Sequence, residues 1–86
     1  MPEKTFGQFI RAERELLSLT TEEASKQLGV SQTTLYHWEY DKKKPSKKHL
    51  RDIAAVYCVS VKKLVQLLYK QGENNEEYWI KRIRIN

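Results

Sequence analysis

The chain has 86 residues, 31% charged and 40% hydrophobic, and a formal net charge of +5. This length allows one domain with one modest core, and the composition indicates a folded rather than a disordered chain. Basic charge suits a polyanion such as nucleic acid, because lysine and arginine displace counterions from phosphates, although solubility alone is the simpler explanation.

Several classes are disfavoured by what the sequence lacks. Cys58 is the one cysteine, so no intramolecular disulfide can form, and we expect it to be a half-buried structural residue. The two histidines are far apart, which gives no zinc-ligand spacing, and we predict no metal or cofactor. No apolar run is long enough to span a membrane, and no signal peptide is recognisable. A cytoplasmic protein is therefore expected.

The first two helices are predicted from apolar spacing and capping residues. The first runs from a cap at Thr5 to about Leu17, and its helical spacing is set by Phe6, Phe9, Ile10, Glu13 and Leu17. The second begins at a cap supplied by Thr20 or Thr21. Glu23 lies three residues after Thr20, which is the spacing of a capping box.

The third predicted helix, residues 32–39, follows a tight turn. Gly29 allows the left-handed conformation that ends a helix, and Ser31 can cap the next one. Leu35 and Trp38 share one face and should point into the core. The other faces carry side chains that form hydrogen bonds: Gln32, Thr33, Thr34, Tyr36 and His37. A short helix of this kind fits the DNA major groove, so a helix-turn-helix DNA-binding domain is the working hypothesis.

A basic loop and two further helices complete the predicted all-α, five-helix domain, residues 1–72. Five lysines surround Pro45, which cannot continue a helix: Lys42, Lys43, Lys44, Lys47 and Lys48. Ser46 caps a fourth helix, residues 47–57. Ser60 caps a fifth, from residue 61 to about 71, with an inner stripe of Val61, Leu64, Leu67 and Leu68.

The C-terminal tail, residues 73–86, differs in composition. It is rich in aromatic and β-branched residues, which favours a strand, although helical spacing also fits. Its apolar side chains are costly to leave in water, and the candidates for a dimer or partner contact are Tyr78, Trp79, Ile80, Ile83 and Ile85. Pairing with a second copy, packing on the domain, disorder and a DNA-contacting arm all remain open.

The order of these features resembles the Cro and phage-repressor type of helix-turn-helix proteins, the XRE-like family. The resemblance covers about residues 5–68. It is carried by Phe6, Ile10 and Arg14, by LGVS at 28–31, by Leu35 and Trp38-Glu39, by KKKPS at 42–46 and by VSVKKL at 59–64.

The resemblance implies roles for individual residues. It assigns base reading to Gln32, Thr33, Thr34 and His37, although a solvated surface is the alternative. It assigns phosphate contacts to Thr21, Lys42, Lys43 and Lys44, and a partly buried salt bridge to Arg14 and Glu39. We also expect Ser31 and Tyr36 to contact phosphates. The family often has glycine where this chain has Ser18, Asp41 and Cys58. Aspartate tolerates the left-handed region, whereas Ser18 and Cys58 adopt it or use another cap.

The implied function is sequence-specific regulation of transcription by a bacterial or phage-encoded protein of repressor type, nucleoid-associated when bound. One recognition helix covers only about four base pairs, so we expect a homodimer on a two-fold symmetric operator of double-stranded DNA. The alternative is an antitoxin or protein-interaction module that binds a protein partner through the tail. With no catalytic constellation in the sequence, we do not expect an enzyme.

Overall fold

The computed structural model describes residues 4–70, which form five α-helices and the turns and loops between them. Their bounds are Phe6–Leu16 (α1), Thr21–Leu28 (α2), Gln32–Glu39 (α3), Lys47–Tyr57 (α4) and Val61–Lys70 (α5). The predicted all-α, five-helix fold with a helix-turn-helix at α2 and α3 is confirmed. The tail residues Tyr78, Trp79, Ile80, Ile83 and Ile85 lie outside the described residues, so their conformation stays a prediction.

A serine or threonine hydroxyl begins every helix, as predicted. Each accepts a hydrogen bond from the backbone N–H three residues on, and the five caps are Thr5, Thr20, Ser31, Ser46 and Ser60. Of the two candidates for α2, Thr20 is the cap, and it forms the predicted capping box with Glu23. These caps satisfy N–H groups that have no partner within the helix, and each is worth about 1 kcal/mol.

Left-handed residues end the first four helices, although only one of them is glycine. Gly29 has φ 71° after α2, and Ser18, Asp41 and Cys58 each have φ 58° after α1, α3 and α4. After α3 the chain turns back toward the helix. The Asp41 N–H group donates to the Trp38 carbonyl at 3.2 Å, and the Lys42 N–H group donates to the His37 carbonyl at 2.8 Å. This is the Schellman pattern, which normally favours glycine. Ser18 and Cys58 therefore use the left-handed conformation rather than another cap.

One hydrophobic core joins all five helices. α1 packs against α3, α4 and α5, while α2 packs against α3 and α4, and α4 also packs against α5. Its buried members are Phe6, Ile10, Ala24, Leu28, Leu35, Trp38, Leu50, Ile53, Ala54, Tyr57, Leu64, Leu67 and Leu68. α3 thus packs mainly against α1 and α2, and its Trp38 ring also lies against His49 of α4.

Two predictions about burial are wrong, those for Val61 and Cys58. α1 ends at Leu16 rather than at about Leu17, and Leu17 is 45% exposed. Val61 is 40% exposed at the first position of α5, where it borders an open groove lined also by Leu50 and Val65. Cys58 is exposed rather than half-buried, because its left-handed backbone follows the end of α4.

Candidate nucleic-acid interface

The turn between α2 and α3 sets the geometry of the motif. Gly29 takes the left-handed conformation, and no atom lies within 4 Å of the position that a Cβ would occupy there. The glycine is therefore required by backbone conformation and not by lack of space. Two residues later, the Ser31 hydroxyl accepts from the Thr34 N–H at 3.1 Å and donates to the Thr34 hydroxyl at 3.0 Å. These contacts fix the start of α3.

α3 divides into a buried face and an outward face. Leu35, Trp38 and Glu39 are buried, as the spacing predicted for Leu35 and Trp38. The candidate base-reading residues lie outside the core: Gln32 and Thr33 are exposed, whereas Thr34 and His37 are half-buried. Engaged with Ser31, Thr34 has less free hydrogen-bonding capacity than Gln32 or Thr33. The structure therefore makes Gln32 and Thr33 the most accessible of the four candidates.

A hydrogen bond joins the first residues of α2 and α3. The Thr21 hydroxyl donates to Oε1 of Gln32 at 3.0 Å. This contact orients the Gln32 amide so that its NH₂ group, with two donors, remains available to a ligand. Thr21, assigned by the resemblance to a phosphate, therefore also positions a candidate base-reading residue. The sequence contained no spacing signal for this pair, because the two residues meet only through the turn.

The residues assigned to phosphate contacts form a rim around the start and end of α3. Lys42, Lys43 and Lys44 are exposed in the loop that follows α3, and none of them forms an ion pair within residues 4–70. Their charge is therefore available to a polyanion. Tyr36 is 48% exposed on α3, one turn before this loop.

Two further polar residues, Arg11 and Tyr40, join this rim and were not among the predicted site residues. The Tyr40 ring lies against the Tyr36 ring, with centroids 4.5 Å apart. Arg11 of α1 donates to the Tyr40 hydroxyl at 3.2 Å and lies 5.7 Å from the centroid of its ring. The four-residue spacing of the two tyrosines was visible in the sequence, whereas the approach of Arg11 depends on the packing of α1 against α3.

A buried ion pair ties α3 to α1, as the resemblance implies. Nε of Arg14 lies 2.7 Å from Oε2 of Glu39, and Nη2 lies 3.2 Å from Oε1, so the contact is bidentate. The remaining nitrogen, Nη1, donates to the Leu19 carbonyl at 2.8 Å. The hydrogen bond to Glu39 raises the pKa of Arg14 above its ordinary value, although burial opposes it. This pair orients α3 from its buried side.

Tyr57 of α4 lies beside this ion pair and has a buried hydroxyl without a hydrogen-bond partner in the described structure. Burial raises the pKa of Tyr57 to about 12, and the Glu39 carboxylate adds to the shift while Arg14 opposes it. An unpaired polar group in the interior has a desolvation cost that nothing offsets. Tyr57 is thus a point of local instability next to the contact that holds α3.

We expect the Tyr57→Phe variant to be at least as stable as the parent chain at neutral pH, since it removes a group whose burial costs about 1–3 kcal/mol. In the unfolded chain a tyrosine loses its proton near pH 10, whereas the folded value is about 12. Above pH 10 the unfolded state binds fewer protons, so the stability of the parent falls with rising pH.

Urea unfolding of both chains at neutral pH and on either side of pH 10 measures this difference. The advantage of Tyr57→Phe should widen above pH 10, because the variant lacks this titration while the remaining tyrosines are common to both chains. A difference in stability that stays constant across the whole pH range would contradict the assignment of the shifted pKa to Tyr57.

Other kinds of site are not evident within residues 4–70. No group of three or more histidine, cysteine, aspartate or glutamate side chains there is arranged to hold a metal ion. No helix in that range has both the length and the apolar character needed to cross a bilayer. The exposed polar face of α3 with its basic rim is therefore the candidate site.

This fold and site define a helix-turn-helix protein, the class in which the second helix of the motif enters the major groove. A helix-turn-helix family model matches residues 10–64, which is more than half of the chain. The chain belongs to this XRE-type helix-turn-helix family. No curated protein matches the sequence.

Solved structures of the P22 c2 repressor and of SinR are similar to this chain. The P22 c2 repressor in complex with a synthetic operator is 26% identical with a TM-score of 0.69, over 72% of this chain and 94% of that one. The solution structure of the P22 c2 DNA-binding domain is 26% identical with a TM-score of 0.69, over 76% and 86%. SinR, a master regulator for biofilm formation, in complex with DNA is 29% identical with a TM-score of 0.66, over 71% and 98%.

Proposed function

We propose that this protein is a sequence-specific double-stranded DNA-binding transcription regulator that acts as a repressor. The observation that carries the proposal is the division of α3, which buries Leu35, Trp38 and Glu39 and exposes Gln32 and Thr33 at the start of the helix. N-terminal residues of a recognition helix are those that contact base edges in the major groove. The similarity to a repressor solved with an operator and to a regulator solved with DNA supports the same use here.

In this mechanism phosphate contacts set the register and α3 reads sequence. Base edges are read by Gln32, Thr33, Thr34 and His37. Phosphates are contacted by Thr21, Ser31, Tyr36, Lys42, Lys43 and Lys44. The positive end of the α2 dipole lies at Thr21, which favours a phosphate at that position. Residues 1–72 form the DNA-binding domain in this proposal.

Two copies bind a two-fold symmetric operator in the proposed complex. A single helix contacts too few base pairs for high specificity, and two copies one helical turn apart extend the site. We assign the contact between copies to the tail, residues 73–86, whose apolar side chains gain from burial. Selection of bound duplexes from random DNA, with the mass of the complex, tests motif, symmetry and stoichiometry together. A single asymmetric half-site bound by one chain would contradict the dimer.

Replacement of Gln32 by alanine tests the assignment of base reading. We expect it to weaken binding to the selected sequence by about 1–3 kcal/mol and to relax specificity at one base position, because the oriented amide is lost. Competition binding against duplexes altered at each position measures both effects. Gln66→Ala, an exposed glutamine on α5, is the matched control and should leave binding unchanged. Equal weakening on selected and random DNA would show that Gln32 does not read a base.

Replacement of Lys43 or Lys44 by alanine tests the basic rim. Each change should weaken binding to all sequences alike and should reduce the slope of log affinity against log salt by roughly one unit, because one phosphate contact is lost. Titrations of a random-sequence duplex at several salt concentrations give the slope. Lys62→Ala, an exposed lysine on α5, is the control with the same change in net charge. A slope that stays unchanged in both loop variants would remove this loop from the interface.

A further inference from the structure

Asp41 connects two parts of the fold that are 36 residues apart in sequence. Its Oδ2 accepts from the Thr5 hydroxyl at 2.7 Å, and its Oδ1 accepts from the Gly7 N–H at 2.9 Å. Both donors belong to the start of α1, where Thr5 is the N-cap. The residue directly after the C-cap of α3 therefore also serves as a second cap for α1.

The charge of Asp41 is suited to this place. The first turn of α1 contains no acidic residue, so nothing within the helix complements its positive end. The Asp41 carboxylate supplies that negative charge from outside. Its position has φ 58°, a conformation that glycine adopts at lower cost, so backbone conformation alone does not explain an aspartate here. The side-chain contacts to α1 do.

Lys42, Lys43 and Lys44, together called the lysine rim, follow directly after Asp41. The Lys42 and Lys43 N–H groups both donate to the His37 carbonyl, at 2.8 and 3.3 Å, so the loop starts from the backbone that Asp41 holds. The side chains of this rim form no ion pair within the described residues that would fix them separately. The loop is thus attached to α3 by backbone bonds to His37, and the Asp41 side chain ties this end of α3 to the start of α1.

A carboxylate beside three lysines would ordinarily oppose the approach of a polyanion. Here its two oxygens are engaged by Thr5 and Gly7, at the positive end of α1. This geometry partly offsets the negative charge and leaves the lysines as the dominant charges at the end of α3.

We propose that Asp41 is a positioning residue, which fixes the end of α3 and the lysine rim on α1 so that the rim contacts DNA phosphates in register. The inference rests on the proposed function. It adds a residue that contacts no DNA itself and yet determines how many phosphates the protein contacts.

Two substitutions separate the hydrogen bonds of Asp41 from its charge. Asp41→Asn and Asp41→Gly remove the same negative charge, and both residues tolerate a left-handed backbone. Asparagine retains an oxygen for the Gly7 N–H and can donate to the Thr5 hydroxyl oxygen, whereas glycine loses both contacts. Any difference between the two variants therefore reports the anchorage and not the charge.

The measurement is binding to a short random-sequence DNA duplex across salt concentrations, at a temperature where circular dichroism shows both variants fully folded. We expect Asp41→Asn to keep the parent salt slope. Asp41→Gly should bind about tenfold more weakly than Asp41→Asn, with a slope lower by roughly one unit, as for one lost phosphate contact. A residue with only a structural role would change the unfolding midpoint without changing this slope.

Equal affinities and equal slopes for the two variants would overturn the inference while leaving the proposed function intact, provided that the parent binds DNA with a salt dependence. Failure of the parent chain to bind any duplex would overturn both. A lower slope in Asp41→Asn as well as in Asp41→Gly would show that charge, rather than anchorage, is responsible, and would also overturn the inference.

Discussion

Replacement of Glu39 by alanine is expected to destabilise the fold by about 3–5 kcal/mol, the largest effect that we foresee for a single side chain. The change leaves Arg14 buried without its carboxylate, since the Arg14 side chain is only 10% exposed and Glu39 only 2%. The guanidinium would keep one hydrogen bond, to the Leu19 carbonyl. An uncompensated charge in the interior cannot recover the hydration that it lost on folding.

Urea unfolding of the variant and the parent chain provides the measurement. The double variant Arg14→Met, Glu39→Leu is the informative control, because it removes both charges and keeps similar volume. It should be far more stable than Glu39→Ala, since replacing a buried ion pair with apolar groups of similar volume often changes the free energy of unfolding little. If Glu39→Ala lost less than about 1 kcal/mol, the pair would behave as an exposed ion pair does, and its burial would be in doubt.

Replacement of Gly7 by alanine is expected to destabilise the protein by about 3 kcal/mol, the upper end of the usual range for overpacking, through a clash with backbone. A Cβ at this position would overlap the Glu39 carbonyl oxygen and would lie 2.7 Å from that of Trp38. Neither atom can move aside without shifting the end of α3. The sign of the change in stability shows whether the clash exists, because alanine in an unhindered helix interior is more stable than glycine by about 1 kcal/mol.

Gly29→Ala is the matched control for this prediction. No atom lies within 4 Å of the added Cβ, but φ is 71°, so the cost is conformational and about 1–2 kcal/mol. Thermal and urea unfolding of the two variants should therefore rank Gly7→Ala well below Gly29→Ala in stability. A Gly7→Ala variant as stable as the parent would show that α1 and α3 do not approach this closely.

Gly7, Arg14 and Asp41 all act at the contact between α1 and α3. Gly7 allows the two backbones to meet, Arg14 pairs with the Glu39 side chain, and Asp41 caps α1 from beyond the end of α3. The helix that carries the candidate base-reading residues is thus held at its C-terminal end by three independent kinds of interaction. This explains how a helix of only eight residues can present a defined surface.

Much of the local structure could be predicted, because it depends on residues close together in sequence. Ser31 and Thr20 cap helices through hydrogen bonds that span three residues, so the spacing alone identifies them. Leu35 and Trp38 are buried together because residues three apart lie on one face of a helix. The same rule failed for Val61, since helical spacing does not show what lies beside the first turn of a helix.

Contacts between different helices were harder to predict from the sequence. Arg11 meets Tyr40, and Thr21 meets Gln32, through contacts between different helices. The unpaired hydroxyl of Tyr57 likewise depends on the neighbours that packing places around it. Such features require the relative position of helices, which no short spacing in the sequence encodes.

The sequence by itself determined the five helices, their caps, the turn at Gly29 and the polar surface of α3, because hydrogen bonds within one turn and the helical period are local. Only the tertiary structure decided why Gly7 must be glycine and why Asp41 is not. Both residues meet partners more than 30 positions away, Gly7 at the Glu39 backbone and Asp41 at Thr5. Close packing brings such atoms together, and it depends on how all five helices share one core.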